Sequence, residues 1–146
     1  MTECIFCAII ENRAPGSVLH EDAQSVVFMD IGPINPGHAL VVPRFHASGL
    51  ADLPEEAGMH LFKVAQRTAS AIRRTSIACE GVNLFLADGE VAFQDVFHVH
   101  LHVIPRFAGD QFKISADWSQ RPPRRELDAL AAAISDEYEQ IWPADE

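Results

Sequence analysis

The chain has 146 residues, 48% hydrophobic and 22% charged, with 11 Lys+Arg against 21 Asp+Glu for a formal net charge of −10. A single domain over residues 1–146 can bury a core at this size without disulfide staples. No apolar run nears the roughly 20 residues that cross a bilayer. The acid excess removes the basic patch that nucleic acid binding requires, so no membrane or nucleic acid partner is expected.

The opening MTECIFCAII carries Glu3 and no basic stretch, so no secretion signal is expected and the cytoplasm is the expected location. Cys4, Cys7 and Cys79 are the three cysteines, an odd count that argues against a disulfide framework. Cys79 reads as a small buried hydrophobe. Cys4-x-x-Cys7 lacks the βαβ context of a redox motif. As half of a tetrahedral zinc site it needs two further ligands, and His46 is well placed for one.

Residues 24–30 (QSVVFMD) predict a strand ended by Asp30 and the turn-rich IGPINPG. His38 to Val42 predicts the next strand, stopped by Pro43. Residues 53–74 predict a helix, with Asp52 and Glu55 as a capping-box-like start and Pro54 in its first turn. Ala57, Leu61, Val64, Ala65, Thr68 and Ile72 fall on one face of it. A strand over 81–87 ends at the turn signal Asp88-Gly89. A strand over 96–104 (VFHVHLHVI) ends at Pro105, and a last helix runs from about Pro123 to Ile141. Its stripe is Leu127, Leu130, Ala131, Ile134, Tyr138 and Ile141. Helices between grouped strands indicate an α+β domain: an antiparallel sheet, a long central helix and a C-terminal helix. His20 and His60 read as surface residues.

The chemistry concentrates in residues 96–104. Strand side chains alternate faces, so His98, His100 and His102 share one face roughly 7 Å apart, with Phe97, Val99, Leu101 and Val103 directed to the core. A row of three imidazoles on an otherwise apolar strand has no packing rationale. It suits metal ligation, or catalysis at a phosphate in which a neutral imidazole attacks and its neighbours orient it. Spacing alone leaves both open.

The pattern Gln94-x-x-x-His98-x-His100-x-His102 resembles the signature of the histidine triad (HIT) superfamily. The resemblance extends to Cys4–Ile10, Phe28–Ile31, Pro36–Arg44 and Val103–Arg106. It implies a HIT-like fold and a homodimeric hydrolase or transferase acting on the α-phosphate of nucleoside monophosphate derivatives such as phosphoramidates. On that resemblance His100 would be the nucleophile, forming a nucleotidyl-histidine. His102 and His38 would orient it and assist proton transfer, and Gln94 would contact the phosphate or bridging oxygen. Asp30 would bind the ribose, and Ile5, Phe6, Ile9 and Ile31 would wall the base of a purine nucleotide. The Cys-x-x-Cys opening is similar to a zinc-bearing subset, which implies a structural zinc on Cys4, Cys7, His46 and His98 and no cofactor for catalysis. A diadenosine polyphosphate hydrolase or phosphorylase, a nucleotide-binding regulator without turnover, and a catalytic metal on the triad histidines are the competing readings. Three neighbours depart from the family's commoner pattern. Phe93 replaces a Gly, Ala87 an Asn, and Asp95 a Ser or Glu. Phe93 is expected to set leaving-group preference.

Overall fold

Four hydrophobic strands with β-branched residues on both faces need cover on both sides, and the chain supplies a helix for each. A computed structural model describes residues 3–144. It divides into two compact units, one ending at Phe112 and one beginning at Lys113. In the first unit, β1 (Val18–Glu21), β2 (Ser25–Met29), β3 (Ala39–Pro43), β4 (Gly81–Phe85) and β5 (Leu101–Arg106) form an antiparallel sheet in the order β1-β2-β3-β5-β4. Helices α1 (Ile5–Ile10) and α2 (Glu55–Ile72) complete the unit. The second unit holds α3 (Arg124–Ile141). Its expected boundaries hold, and the side chains of its apolar stripe, from Leu127 to Ile141, are exposed. The architecture is the expected α+β one. Among the described residues, no helix is long and apolar enough to cross a membrane.

Register assigns the two faces. Ala39 pairs with Val103 and Val41 with Leu101, and these side chains meet Leu61, Val64, Ala65, Ala69 and Ile72 of α2. Alternate residues Val26, Phe28, Leu40 and Val42 pack against Phe6 of α1. Each fully buried side chain of this kind contributes about 1.5–3 kcal/mol. Leu40 lies opposite His102, so His102 belongs to the α1 face.

The expected helix over 53–74 forms, and Leu61, Val64, Ala65, Thr68 and Ile72 are buried as its periodicity requires. Its start differs. Pro54 is the cap residue, with no side-chain cap, and Asp52 closes a 3-10 turn over Leu50–Asp52. The strand expected over 96–104 begins only at Leu101. Pro43 has no N–H to give the ladder, and its carbonyl accepts from His98 Nε2 at 2.8 Å. The Val99 N–H turns to the Ala47 carbonyl at 2.8 Å. Pairing between β3 and residues 98–100 is therefore lost. Val99 and Val103 are core residues as expected, but Phe97 is 52% exposed. Pro105 does not end β5. It pairs with Val82 where β3 no longer flanks the strand, and its carbonyl accepts from Asn35 Nδ2 at 2.9 Å. The strand over 81–87 stops at Phe85. Cys79 is half-buried against the α2-side core, and its thiol donates to the Gly81 carbonyl.

Two elements escaped the sequence reading, α1 and β1. The Cys4 thiol accepts from the Cys7 N–H and caps α1, a role that the Cys-x-x-Cys spacing conceals. All four residues of β1 are exposed, so its sequence lacks the alternation that marks a half-buried strand.

Candidate functional site

The loop preceding β5 carries His98 and His100 into the gap between β3 and α1, and β5 itself presents His102. The rings of His100 and His102 are 4.8 Å apart, closer than a regular strand would hold them. Phe6 of α1 packs its edge against His100 at 5.0 Å. Beside them opens a cavity of about 610 Å3. Ile5, Phe6, Ile9 and Ile31 line it with Asp30, Asp95, His100 and His102. The four residues expected to wall a base are thus brought together, and Asp30 and the last two triad histidines share their cavity.

Hydrogen bonds determine which nitrogens carry protons. A carbonyl can only accept, so His100 Nδ1, 2.8 Å from the His98 carbonyl, is the protonated nitrogen. A neutral His100 therefore keeps its lone pair on Nε2. His38 Nδ1 accepts from the Ile34 N–H at 3.0 Å, which leaves the proton on its Nε2. That Nε2–H donates to His102 Nδ1 at 2.8 Å. His102 in turn carries its proton on Nε2. A directional chain runs from the Ile34 amide through two imidazoles.

Burial keeps this chain neutral. It pushes His38 below its ordinary value, aided by the charge of His100 and opposed by Asp30. For His102, burial and then the charges of His100 and His38 push it down to about 4. Asp30 Oδ2 lies 3.5 Å from His38 Nε2 and 3.9 Å from His102 Nδ1, while its Oδ1 accepts from the Gly32 N–H. The ligand atoms of these three groups lie within 4.8 Å of one another, close enough to share a metal ion. The proton on His38 Nε2 makes that atom a donor, however, and with Nδ1 already taken by the Ile34 N–H, freeing Nε2 for a metal would require a full imidazolate anion.

Gln94 is buried, and its carboxamide meets only backbone. Oε1 accepts from the Gly89 N–H at 2.8 Å, and Nε2 donates to the carbonyls of Ser48 at 2.6 Å and Val96 at 3.1 Å. It clasps the loop that precedes the triad, and it is not among the residues lining the cavity. Neither is Phe93, which is 83% exposed on a left-handed backbone with φ 72°. Asp95 does line the cavity, with Oδ1 3.7 Å from His100 Nε2. Its place directly after Gln94 in the motif was the signal for it.

The first triad histidine faces elsewhere. His98 Nε2 donates to the Pro43 carbonyl, so its Nδ1 carries the lone pair. That Nδ1 lies 3.4 Å from Cys4 Sγ, 3.6 Å from Cys7 Sγ and 3.1 Å from His46 Nδ1. Cys7 Sγ is 3.3 Å from His46 Nδ1. Four donors around zinc at bond lengths of about 2.0–2.3 Å stand roughly 3.3–3.8 Å apart in a tetrahedron, so the donor set fits that ion. Without a cation, burial and the adjoining Cys4 thiol push Cys7 up to about 11. Two thiols so close suit a positive charge between them.

His20 is exposed as expected, but His60 is not a surface residue. Both approach Asp22 Oδ2, at 3.3 and 2.9 Å, and His60 is largely buried, which ties β1 to α2.

The cavity thus meets a pair of imidazoles, His100 and His102, set in an α+β sheet with an ordered hydrogen-bond chain behind them. Comparison places the chain within a family. The HIT domain model matches residues 11–109, and the chain belongs to that family. It is 41% identical over 124 residues to a HIT-like protein of Mycobacterium tuberculosis, covering 84% of this chain and 85% of the other. It is 34% identical over 133 residues to the adenosine 5′-monophosphoramidase of Schizosaccharomyces pombe, covering 90% and 96%. Among solved structures, a zinc-bound histidine triad family protein of Mycobacterium smegmatis matches with a TM-score of 0.73 at 37% identity, covering 94% of this chain and 96% of that one.

Proposed function

We propose that the protein is a nucleotide hydrolase that acts on the α-phosphate of nucleoside phosphoramidates through a covalent nucleotidyl-His100. The observation that carries this reading is the Nδ1–H of His100 bonded to the His98 carbonyl, which commits the lone pair to Nε2. The apolar cavity accepts a purine base between Ile5, Phe6, Ile9 and Ile31, and Asp30 accepts the ribose hydroxyls. Nε2 attacks phosphorus as the bond to the leaving nitrogen breaks. The nitrogen leaves with that electron pair and takes a proton from solvent. The His102 Nε2–H, held in place by His38, donates to a phosphate oxygen. Water then attacks the phosphorus, the bond to Nε2 breaks, its electron pair returns to His100, and the water proton passes to solvent. Gln94 acts as a positioning residue that holds the loop.

A zinc ion on Cys4, Cys7, His46 and His98 is part of the proposal, supported by the donor spacing and by the zinc-bound relative. All four ligands are protein side chains, so the ion would hold α1 to the sheet and leave no open position for substrate. A homodimer is also proposed. The edge strand β4 leaves Leu84 and Phe85 each 38% exposed, and an apolar edge invites pairing. Light scattering at micromolar concentration should give twice the chain mass, and a monomer would remove that part.

His100→Ala should lower turnover of an adenosine phosphoramidate by several orders of magnitude while AMP binding is kept, because no other group can form the intermediate. Rapid-quench trapping should recover a nucleotidyl-enzyme from wild type only. Near wild-type turnover in the variant would defeat the mechanism.

A further inference from the structure

We propose that Asp95 selects the leaving group, favouring neutral or cationic amines and turning away anionic phosphate groups. The inference rests on the functional reading above and names the substrate class for that site. Among the described residues, fifteen line the cavity, and no Lys or Arg is among them. Two of them, Asp30 and Asp95, are carboxylates. His102 stays neutral near pH 7 because burial opposes its charge. The cavity that would receive a nucleotide is therefore negative, and no side-chain cation of its lining offsets that charge.

Asp95 stands at the reacting end. Its Oδ1 is 3.7 Å from His100 Nε2 and accepts from the Val96 N–H at 2.9 Å, which orients the carboxylate. Asp30 sits beside His38 and His102 instead. A phosphorus poised for attack lies about 3–3.5 Å from Nε2, so Asp95 is within roughly 7 Å of it. The first atom of the leaving group is only about one bond further on, inside the screening length of physiological salt. A nucleoside diphosphate leaving group brings two or three negative charges into that field. An amine brings none, and one with an ammonium tail brings a favourable charge. The same carboxylate suits the covalent step, because His100 becomes positive when Nε2 bonds to phosphorus while Nδ1 keeps its proton. Like charges at such separations and an intermediate dielectric cost about tenfold in rate or affinity per unit charge.

Phe93 has no comparable position, since it lies outside the cavity lining.

The test compares wild type with Asp95→Asn, which retains the acceptor for the Val96 N–H, and with Asp95→Ser. Three substrates share one adenylyl group: a phosphoramidate of a neutral alkylamine, a phosphoramidate of an ammonium-tailed amine, and diadenosine triphosphate. Wild type should prefer them in that order reversed at the amine end: ammonium-tailed first, neutral amine second, triphosphate last. Removing the charge should lower the ratio of kcat/KM for the ammonium-tailed substrate over the triphosphate about tenfold or more. Ratios unchanged in both variants would overturn the assignment. Calorimetry of ADP and AMP runs alongside as a readout independent of turnover. If wild type turns over none of the three substrates, the hydrolase reading falls. The affinity ratio then judges Asp95 alone: about tenfold tighter ADP binding relative to AMP in Asp95→Asn supports it, and an unchanged ratio overturns it.

Discussion

At the scale of single residues, two backbone and protonation features of the motif were invisible until the chain was folded. Phe93 adopts φ 72°, ψ 22°, the left-handed region where Cβ crowds the carbonyl and glycine is at ease. A glycine would meet that backbone need freely, and Phe93 meets it under strain. Its ring is 83% exposed, so removing it opens no cavity. Phe93→Gly should therefore stabilise the fold by about 1 kcal/mol, the left-handed penalty less the entropy that glycine gains when unfolded. For a chain of this length that is a rise in Tm of about 2–4 °C by calorimetry. A lower Tm would show that the ring makes a contact worth more than the strain. Histidine roles obey the same logic. Spacing singled out His98, His100 and His102, but the Pro43 and His98 carbonyls, and His38 for His102, decide which nitrogen each one offers.

Among the elements, α1 joins two sites. Cys4 and Cys7 belong to the four-donor cluster, while Ile5, Phe6 and Ile9 of the same turns line the cavity. Six residues make too short a helix to be stable without tertiary support. Removing the proposed zinc with a chelator should therefore loosen α1 and the proposed base-binding wall before it touches His100. The expected outcome is a raised KM with kcat changed less, a lower Tm, and faster amide exchange over residues 5–10. Loss of kcat alone, restored only by zinc with Tm unchanged, would instead indicate a metal that takes part in the reaction. The turn before β3 is a second element with a narrow tolerance. Gly37 has φ 90°, and an added Cβ would meet Ile77 Cγ2 at 3.0 Å. Gly37→Ala should displace the entry to β3, and with it His38, lowering both Tm and turnover.

For the whole molecule, acid is the expected weakness. Burial pushes His102 down to about 4 in the folded protein, against an ordinary value of 6.5, and pushes His38 and His98 downward as well. An unfolded chain therefore binds protons between pH 6.5 and 4 that the folded one refuses. Stability is full above pH 6.5 and falls as pH drops toward 4. Asp22 adds to this at lower pH. Burial pulls its carboxyl up, but the Gln24 N–H, the His60 ring and the Ser25 N–H outweigh that and hold it below the usual carboxylate range. Its contribution is present above its unfolded value near 3.8 and is lost below it. Thermal melts at pH 7.5, 6, 5 and 4.5 should show a falling Tm, and a Tm that is flat or rising below pH 6.5 would contradict the buried neutral histidines.

Periodicity and composition were sufficient for the α+β class, for helices α2 and α3, and for the centres of β2, β3 and β4, because those segments carry apolar stripes or runs that local pattern reports, whether or not the folded unit buries them. The motifs were sufficient to single out the histidines and the Cys-x-x-Cys pair, because such residue types at such spacing serve no packing need, and the family resemblance added Asp30. The start of β5 depended on a ring nitrogen of His98 occupying a carbonyl that the ladder would have used. The exposed β1 and the thiol-capped α1 leave no periodic trace. Which side chains share the cavity, with Asp95 inside it and Gln94 and Phe93 outside, depends on where loops turn. Loop direction follows from hydrogen bonds between residues far apart in the chain, such as Gln94 to Ser48 and Val99 to Ala47, and no local pattern encodes such partners.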